Sequence, residues 1–296
     1  MNIAIARRST LSRIAAERAA WQNREQTVWK QIAAIEARIE QLRLETLKAQ
    51  IGAQWRIIDL QYDFLPRNEQ LECALCGFRG ERSAFREYRS HCIFGGGKLI
   101  RHQCPECDVI FGPAKMLDLT PDQLTQEYVA HYSLFQEGDS TEPELRAFHA
   151  LNPRRDGLYM NYGAGAWSRS VDELRRDGWN VVAYEPHESA TGGGEGVVQS
   201  KEELAAMGGF DGIYSNNVLE HLRHPVEELK AMAGYLKPGG KMSHATPCFG
   251  YLYEYTRFHL FFFLGRSRSF LAQSANLKID SYTEDGEFMN IVLAKD

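Results

Sequence analysis

Length, composition and charge set the first limits on this chain. Its 296 residues suffice for one large domain or for one medium domain with appendages, and 44% hydrophobic with 25% charged residues is typical of a soluble globular protein. No stretch of about 18 uncharged apolar residues exists, so no membrane span is expected. Residues 1–60 carry a net charge of +4 and the rest −9. An acidic body of this kind argues against nucleic acid as a partner.

The cellular location is expected to be the cytoplasm. The first residues place apolar side chains before basic ones and lack the hydrophobic region of a signal peptide. In that compartment six cysteines favour metal binding or free thiols over disulfides.

Residues 1–60 are predicted to form a helical arm, because they contain one glycine and no proline. Apolar residues recur every seven positions, as Ile14, Trp21, Val28, Ile35, Leu42 and Ala49, with a second row three positions earlier, as Leu11, Ile32 and Ile39. Arg18, Glu25 and Thr46 interrupt the second row. The pattern predicts a coiled coil or a long helical hairpin that makes the protein a homo-oligomer, and the alternative is a helix packed on its own body. Asp59–Gln70 is predicted to be a linker.

Residues 71–112 are predicted to form a zinc ribbon. Two C-x-x-C motifs, with 27 residues between them, supply Cys73, Cys76, Cys104 and Cys107. Two such turns complete a tetrahedral four-sulfur shell around Zn²⁺, and a closed shell implies a structural ion. A redox role would need only one pair. His91, Cys92 and His102 are spare ligands of the same region.

The remaining chain divides into a helical connector, 113–152, and an alternating region, 153–296. Thr120-Pro121-Asp122 is a helix-start signal in the connector. Strands are predicted at about 157–162, 180–185, 196–199, 211–216 and 240–246, and helices at about 167–177, 201–208 and 225–236. Such alternation implies a parallel sheet with helices on both faces, and an antiparallel pair, 277–282 with 288–294, closes it.

A glycine turn and a distant acid indicate a nucleotide-type pocket. Gly163 and Gly165 follow one apolar run, and Glu185 ends the next, 20 residues past Gly165. Glycines let the backbone approach a ligand closely, and the acid offers acceptors for ribose hydroxyls. The alternative is an ordinary tight turn, since glycine is the usual residue wherever φ is positive.

The later motifs carry a resemblance to a family. The order Gly-x-Gly, acid, Asp211-Gly212-Ile213 leading to Val218-Leu219-Glu220-His221, and then Leu236-Lys237-Pro238-Gly239-Gly240 resembles the class I S-adenosylmethionine-dependent methyltransferases over roughly residues 155–296. The resemblance implies an α/β fold: a Rossmann-like methyltransferase sheet with a terminal antiparallel strand pair, here preceded by a long N-terminal helix and a small zinc ribbon. It also implies an S-adenosylmethionine-dependent enzyme.

The same resemblance implies roles for the residues around the glycine turn. Gly163 and Gly165 would lie against the methionine part of the cofactor, and Glu185 would bind the ribose hydroxyls. Pro186 would lie near the adenine, and Ser200 would approach the adenine edge.

After the next strand, Asn216 and Asn217 would line the pocket beside the sulfonium. Two positions depart from the family pattern. Asn161 stands where an aspartate is usual, and Trp167 stands where a small residue is usual. Asn161 keeps hydrogen-bonding capacity without the charge, and Trp167 would stack on the cofactor or cap the pocket.

The zinc module is similar to an arrangement in methyltransferases that modify sugars or other small metabolites. In those enzymes the module precedes the catalytic domain and a tyrosine-rich helix follows it, here with Tyr128 and Tyr132. The similarity implies a small-molecule acceptor, a sugar or sugar nucleotide of polysaccharide or natural-product biosynthesis.

Methyl transfer is an in-line displacement, so positioning supplies most of the catalysis, and a hydroxyl acceptor also needs a base. The candidate catalytic residues are His221, with Glu220 beside it, and His259; His244 is a further histidine candidate, and a structural role is the alternative for each. Glu220 and His221 also resemble part of a metal site in ubiquinone-type O-methyltransferases. The further acid of that site is Asn217 here, so no catalytic metal is expected.

Two other functions fit the same sequence. A catalytically inactive methyltransferase-fold scaffold could recruit a partner through the coiled coil and the zinc module, and Asn161 and Trp167 favour it. An RNA or protein methyltransferase that docks through the zinc ribbon is the other alternative, against which the acidic body argues.

Overall fold

The computed structural model describes residues 2–65, 69–135, 138–165, 168–186, 196–252 and 255–295, with side chains from residue 17 onward except that of residue 19. The chain divides into two compact units, 1–50 and 51–296. Among the helices of these described ranges, none combines the length and the apolarity needed to cross a membrane.

One helix, α1 (Asn2–Phe64), makes up the first unit and supplies the first residues of the second. It is uninterrupted because it contains one glycine and no proline. Both apolar rows are exposed to solvent where side chains are described, at Trp21, Val28, Ile32, Ile35, Ile39 and Leu42. The predicted long N-terminal helix is confirmed, and its pairing as a coiled coil stays a prediction.

The last turns of α1 are anchored within the second unit. Trp55 is fully buried, and its indole N–H donates to Oε2 of Glu127 over 3.0 Å. The carboxylate of Asp59 forms an ion pair with the buried ammonium of Lys115. The predicted linker beginning at Asp59 is therefore wrong at its start, because these contacts keep the chain helical as far as Phe64.

The cysteine-bearing segment folds as two small antiparallel sheets. The first pairs β1 (Gln70–Glu72) with β2 (Arg79–Glu81). The second has the order β11-β5-β4-β3, with β3 at Arg86–His91, β4 at Lys98–Gln103, β5 at Ile110–Phe111 and β11 at Phe261–Phe262. A strand from far along the chain thus completes the sheet of the predicted zinc ribbon.

Three helices connect this segment to the main sheet: α2 (Ala114–Leu117), α3 (Pro121–Leu134) and α4 (Thr141–Ala150). The start of α3 confirms the predicted signal. Thr120 accepts from the backbone N–H of Gln123, whose side chain in turn accepts from the backbone N–H of Thr120.

A seven-stranded sheet follows, in the order β12-β13-β10-β9-β6-β7-β8. Its strands are β6 (Leu158–Tyr162), β7 (Asn180–Tyr184), β8 (Val197–Val198), β9 (Phe210–Asn216), β10 (Leu236–Ala245), β12 (Lys278–Asp285) and β13 (Phe288–Ala294). Strands β6 to β10 are parallel, and β13 and β12 add the antiparallel edge. The helices of this region are α5 (Ser170–Arg176), α6 (Lys201–Ala206), α7 (Pro225–Tyr235) and α8 (Ser267–Ser274).

The predicted fold class is confirmed, and the predicted strands and helices are present with small shifts. The largest shift is in β10, which begins at Leu236 rather than near residue 240. Leu236 already pairs with Phe210 of β9, and the register changes between Leu236 and Lys241. The Pro-Gly-Gly turn is therefore an irregularity within the strand rather than a segment before it.

Candidate active site and cysteine cluster

The predicted cofactor residues converge at one edge of the sheet. Gly163 and Gly165 follow β6, Glu185 and Pro186 follow β7, and Asn216 ends β9. Strand β6 lies between β7 and β9, so the chain leaves β6 on one side and returns on the other. This is a topological switch point, and ligands of open parallel sheets bind outside the carboxyl ends of the strands at such a point.

The glycine turn is held against Glu185. The backbone N–H of Gly163 donates to the carbonyl of Tyr184 (2.8 Å), and that of Gly165 donates to Oε2 of Glu185 (3.2 Å). A Cβ on Gly163 would stand 2.7 Å from a methyl of Val218, whereas a Cβ on Gly165 would meet no described atom within 4 Å. Gly163 is therefore required for packing, because a side chain there would collide with Val218.

The end of β9 turns sharply. Asn216 is half-buried and in register with Ala245 of β10. Asn217 adopts a left-handed conformation with φ of 54°, and its N–H donates to the carbonyl of Ala245 (2.8 Å). Asparagine tolerates this conformation better than most residues, so the turn explains at least part of the need for Asn217.

Three other residues were predicted to bind the cofactor: Ser200, Pro186 and Trp167. The hydroxyl of Ser200 accepts from the N–H of Glu203 over 3.2 Å and caps α6, so a local structural role already accounts for it. Pro186 is exposed directly after β7. Trp167 lies outside the described residues.

Asn161 is paired with a carboxylate that the sequence did not single out. Glu144, on α4, is buried, and its Oε2 accepts from Nδ2 of Asn161 (2.6 Å) and from the hydroxyl of Ser168 (2.8 Å). Its Oε1 accepts from the hydroxyl of Ser140 (2.6 Å). Burial raises the pKa of Glu144, and these donors oppose the rise. Among the described residues, Oδ1 of Asn161 has no hydrogen-bond partner, so it can accept from a ligand.

Replacing Glu144 with alanine is expected to lower the free energy of unfolding by about 3 kcal/mol, because several buried donors lose their acceptor. Urea denaturation measures the effect. Glu142→Ala is the matched control, since Glu142 is exposed on the same helix, and we expect a change of less than about 0.5 kcal/mol. Equal losses in the two variants would contradict a role for the buried pair.

The three predicted catalytic residues come together beyond β9 and β10. Glu220 and His221 lie on a short 3₁₀ turn, Leu219–His221. The rings of His221 and His259 are 5.0 Å apart and nearly perpendicular. The hydroxyl of Tyr128, on α3, lies 3.1 Å from Nδ1 of His221. Tyr128 can thus orient the imidazole, a contact that sequence spacing does not reveal.

Glu220 and His259 share a cluster with Cys248, which was not assigned from sequence. One ligand-type atom of each of the three lies within 4.8 Å of the other two, and Sγ of Cys248 is 3.4 Å from Nδ1 of His259. Glu220 Oε1 also accepts from Thr246 (2.6 Å). Carboxylate, cysteine sulfur and imidazole nitrogen are all common metal ligands. However, the buried guanidinium of Arg101 donates to the carbonyl of His259 (3.0 Å), so a positive charge already lies beside the cluster.

Burial favours the neutral forms of His221, His259 and Cys248. It lowers the pKa of His221 to about 4, opposed by a hydrogen bond to the Phe258 carbonyl, and lowers the pKa of His259 well below 6.5. It also raises the pKa of Cys248. Both imidazoles are uncharged at pH 7, which is the form that accepts a proton. His244 is fully buried within β10, where its Nδ1 lies 2.8 Å from the hydroxyl of Ser215.

The four predicted zinc ligands lie together. Sγ of Cys73 is 3.8 Å from that of Cys107, and Sγ of Cys76 is 3.6 Å from that of Cys104. Zn–S bonds of about 2.3 Å in a tetrahedron place the sulfurs about 3.8 Å apart, so this donor set fits a structural zinc ion. In the described part of the chain, the cluster includes none of the spare ligands proposed from sequence.

Each cysteine turn ends on a residue with positive φ, Gly77 at 72° and Asp108 at 66°. Their N–H groups donate to the carbonyls of Cys73 (2.9 Å) and Cys104 (3.0 Å). The guanidinium of Arg266 donates to both carboxylate oxygens of Asp108 over 3.0 Å and lowers its pKa. Because Arg266 directly precedes α8, the second cysteine turn is tied to the seven-stranded domain.

One known protein family matches part of the chain in sequence. The family described as "Methyltransferase domain" matches residues 141–277, just under half of the chain. No curated protein matches it in sequence.

Three solved structures are similar in fold. A Burkholderia thailandensis 1,6-didemethyltoxoflavin-N1-methyltransferase, solved with S-adenosylhomocysteine, has 16% identity and a TM-score of 0.49 over 67% of this chain and 95% of its own. An S-adenosylmethionine-dependent methyltransferase from Thermotoga maritima has 18% identity and a TM-score of 0.41 over 52% of this chain and 88% of its own. An S-adenosylmethionine-dependent methyltransferase from Methanosarcina mazei has 15% identity and a TM-score of 0.40 over 50% of this chain and 96% of its own.

The family match covers the glycine turn, the end of β9 and the 3₁₀ turn with Glu220 and His221. It coincides with the region where the predicted cofactor and catalytic residues converge. The match therefore indicates a methyltransferase domain over residues 141–277.

Proposed function

We propose that the protein transfers a methyl group from S-adenosylmethionine to a small molecule, a sugar or sugar nucleotide in polysaccharide or natural-product biosynthesis. The observation that carries the proposal is the convergence of Gly165, Glu185 and Asn216 at the switch point of the sheet, a short distance along the chain from Glu220 and His221. The cofactor, when bound, supplies a methyl group activated on a sulfonium.

The residues at the switch point suit this cofactor. A Cβ on Gly165 would meet no atom of the described residues within 4 Å, and the carboxylate of Glu185 stands at the end of β7, where ribose hydroxyls are held in this type of fold. Oδ1 of Asn161 can accept from the ammonium of the methionine part, and the adjacent carboxylate of Glu144 favours a cation there. Glu144 thus compensates for the aspartate that Asn161 replaces.

The acceptor side is formed by aromatic rings and imidazoles. Tyr128 stacks on Phe258 with ring centroids 4.8 Å apart, and its hydroxyl reaches His221. A surface that combines ring faces with hydroxyl and imidazole groups suits a polar ring such as a sugar. In this proposal His221 accepts the proton of the acceptor hydroxyl. Tyr128 and His259 position the imidazole of His221. Glu220 fixes the turn through Thr246.

Two further parts of the proposal concern assembly. The four cysteines would hold a structural zinc ion, which would cross-link the two cysteine turns. The exposed apolar rows of α1 would join copies of the chain into a homo-oligomer.

Calorimetry with S-adenosylhomocysteine tests the cofactor site without knowledge of the acceptor. We expect binding by the intact protein, and we expect Glu185→Ala to weaken it about 100-fold, because two charge-assisted hydrogen bonds to ribose are lost. Glu202→Ala is the matched control, since Glu202 is exposed on α6, and its affinity should equal that of the parent. If the folded protein does not bind S-adenosylhomocysteine at millimolar concentration, the enzymatic proposal is wrong.

A further inference from the structure

The described residues of the first unit carry a long row of apolar side chains that are exposed to solvent. Trp21 and Ile39 are each 61% exposed and Ile35 is 59% exposed, so the rows on α1 face solvent along residues 17–50. Thr27, Gln41, Arg43 and Thr46 each form a side-chain hydrogen bond to a residue three or four positions away on the same helix. A surface of this length is covered by a second helix of similar length.

The spacing assigns both rows to coiled-coil positions. Ile14, Trp21, Val28, Ile35, Leu42 and Ala49 occupy d, and Leu11, Arg18, Glu25, Ile32, Ile39 and Thr46 occupy a. The flanking positions are then g, with Glu17, Arg24, Gln31, Arg38 and Glu45, and e, with Gln22, Trp29, Glu36 and Arg43. Charges at a, e and g decide the orientation of the partner helix.

A parallel, in-register pair is disfavoured by these charges. Each a position would meet its own copy, so Arg18 would face Arg18 and Glu25 would face Glu25. At the flanks, Arg38 at g would face Arg43 at e of the partner helix, twice by symmetry. No g–e contact of the parallel pair between residues 17 and 50 would join opposite charges.

An antiparallel pair removes these conflicts, because a positions then meet d positions. One register pairs Leu11 with Leu42, Arg18 with Ile35, Glu25 with Val28, Ile32 with Trp21, and Ile39 with Ile14. Arg18 and Glu25 each lie beside an apolar residue and extend their charged ends to the edge. At the flanks Glu17 faces Arg38 twice and Arg24 faces Gln31 twice. Between residues 11 and 42 no flanking pair joins like charges.

The two neighbouring antiparallel registers bring like charges together at the flanks. A shift of one heptad one way places Arg24 opposite Arg38 and Glu17 opposite Glu45. A shift the other way places Arg24 opposite its own copy. Beyond Leu42 in the favoured register, Arg43 would meet Arg8, so the pairing ends there.

We propose that residues 11–42 of α1 form an antiparallel two-stranded coiled coil with a second copy of the chain. The proposal rests on the self-association put forward above and adds its stoichiometry, orientation and register. The partner is therefore the same helix reversed, with Glu17 and Arg38 as the reciprocal charged pair.

Sedimentation equilibrium of the full chain tests the orientation through one variant with opposite predicted signs. Arg38→Glu should weaken the antiparallel dimer about tenfold, because two Glu–Arg pairs become Glu–Glu pairs. The same change would tighten a parallel dimer, because two Arg–Arg pairs become Glu–Arg pairs. Glu17→Arg combined with Arg38→Glu should restore the parent dissociation constant.

Lys30→Glu is the matched control, with the same change of charge at an outward position of the same helix. It should leave the dissociation constant within about twofold of the parent. Tighter or unchanged association of the Arg38→Glu variant would overturn the orientation and register alone. A monomeric parent protein would overturn the self-association as well, and cofactor binding, measured separately, would be unaffected by either result.

Discussion

Replacement of His221 by asparagine is expected to lower kcat by about 10²–10⁴-fold with little change in cofactor affinity, the range that loss of a general base produces. The imidazole is held between the hydroxyl of Tyr128 and the ring of His259, and asparagine keeps a polar side chain but cannot accept the proton. Because burial lowers the pKa of His221 to about 4, the active neutral form is present at pH 7 and is lost as the pH falls through about 4. Activity should therefore persist well below pH 6.

The measurement is transfer of a radioactive methyl group to pooled sugar nucleotides and small hydroxyl compounds, with S-adenosylhomocysteine affinity measured in parallel. His149→Asn is the matched control, since His149 is exposed on α4 and its ring contacts Phe148 and Trp179. Full activity in His221→Asn would assign the proton transfer to another group or to an acceptor that needs no base. A loss of cofactor binding in the variant would indicate misfolding instead.

Removal of zinc is expected to cause the largest loss of stability. Structural zinc sites in small modules contribute about 10–16 kcal/mol of apparent binding energy, so loss of even about 5 kcal/mol here would lower Tm by about 10–20 °C. We expect about one zinc ion per chain in the purified protein and a depleted, less stable protein for Cys104→Ala.

The zinc-to-protein ratio and the thermal transition are both measured, before and after chelation. Cys92→Ala is the matched control, since Cys92 is a buried cysteine outside the four-sulfur cluster. It should keep the parent metal content. A metal-free parent with an unchanged Tm after chelation would contradict the structural zinc site.

Loss of zinc should also lower methyl transfer, because the cysteine-bearing segment supports the candidate site. Arg101 lies on β4 and donates to the carbonyl of His259, and β5 pairs with β11 just beyond that histidine. Arg266 ties the second cysteine turn to the start of α8. The module and the methyltransferase domain therefore share strands and buried hydrogen bonds.

The strand and helix order of the methyltransferase domain could be predicted because its signals are local. Apolar runs, the glycine turn and the Pro-Gly-Gly stop each act within a few residues, and they placed β6, β7 and β9 within about a residue of their observed positions. The end of α1 could not be predicted in this way. It depends on Trp55 and Asp59 contacting Glu127 and Lys115, which are more than 50 residues away in sequence.

The sequence by itself determined the fold class and predicted that four cysteines cluster and that the glycine turn, Glu185 and Asn216 share one site, because motif spacing and hydrophobic period carry that information directly. Only the tertiary structure placed Glu144 beside Asn161, Tyr128 beside His221 and Cys248 beside His259. The two members of each pair come from different parts of the fold, whose packing no local pattern encodes. The physical reason is that a buried polar group takes its partner from whichever side chain the packed elements bring within hydrogen-bonding distance.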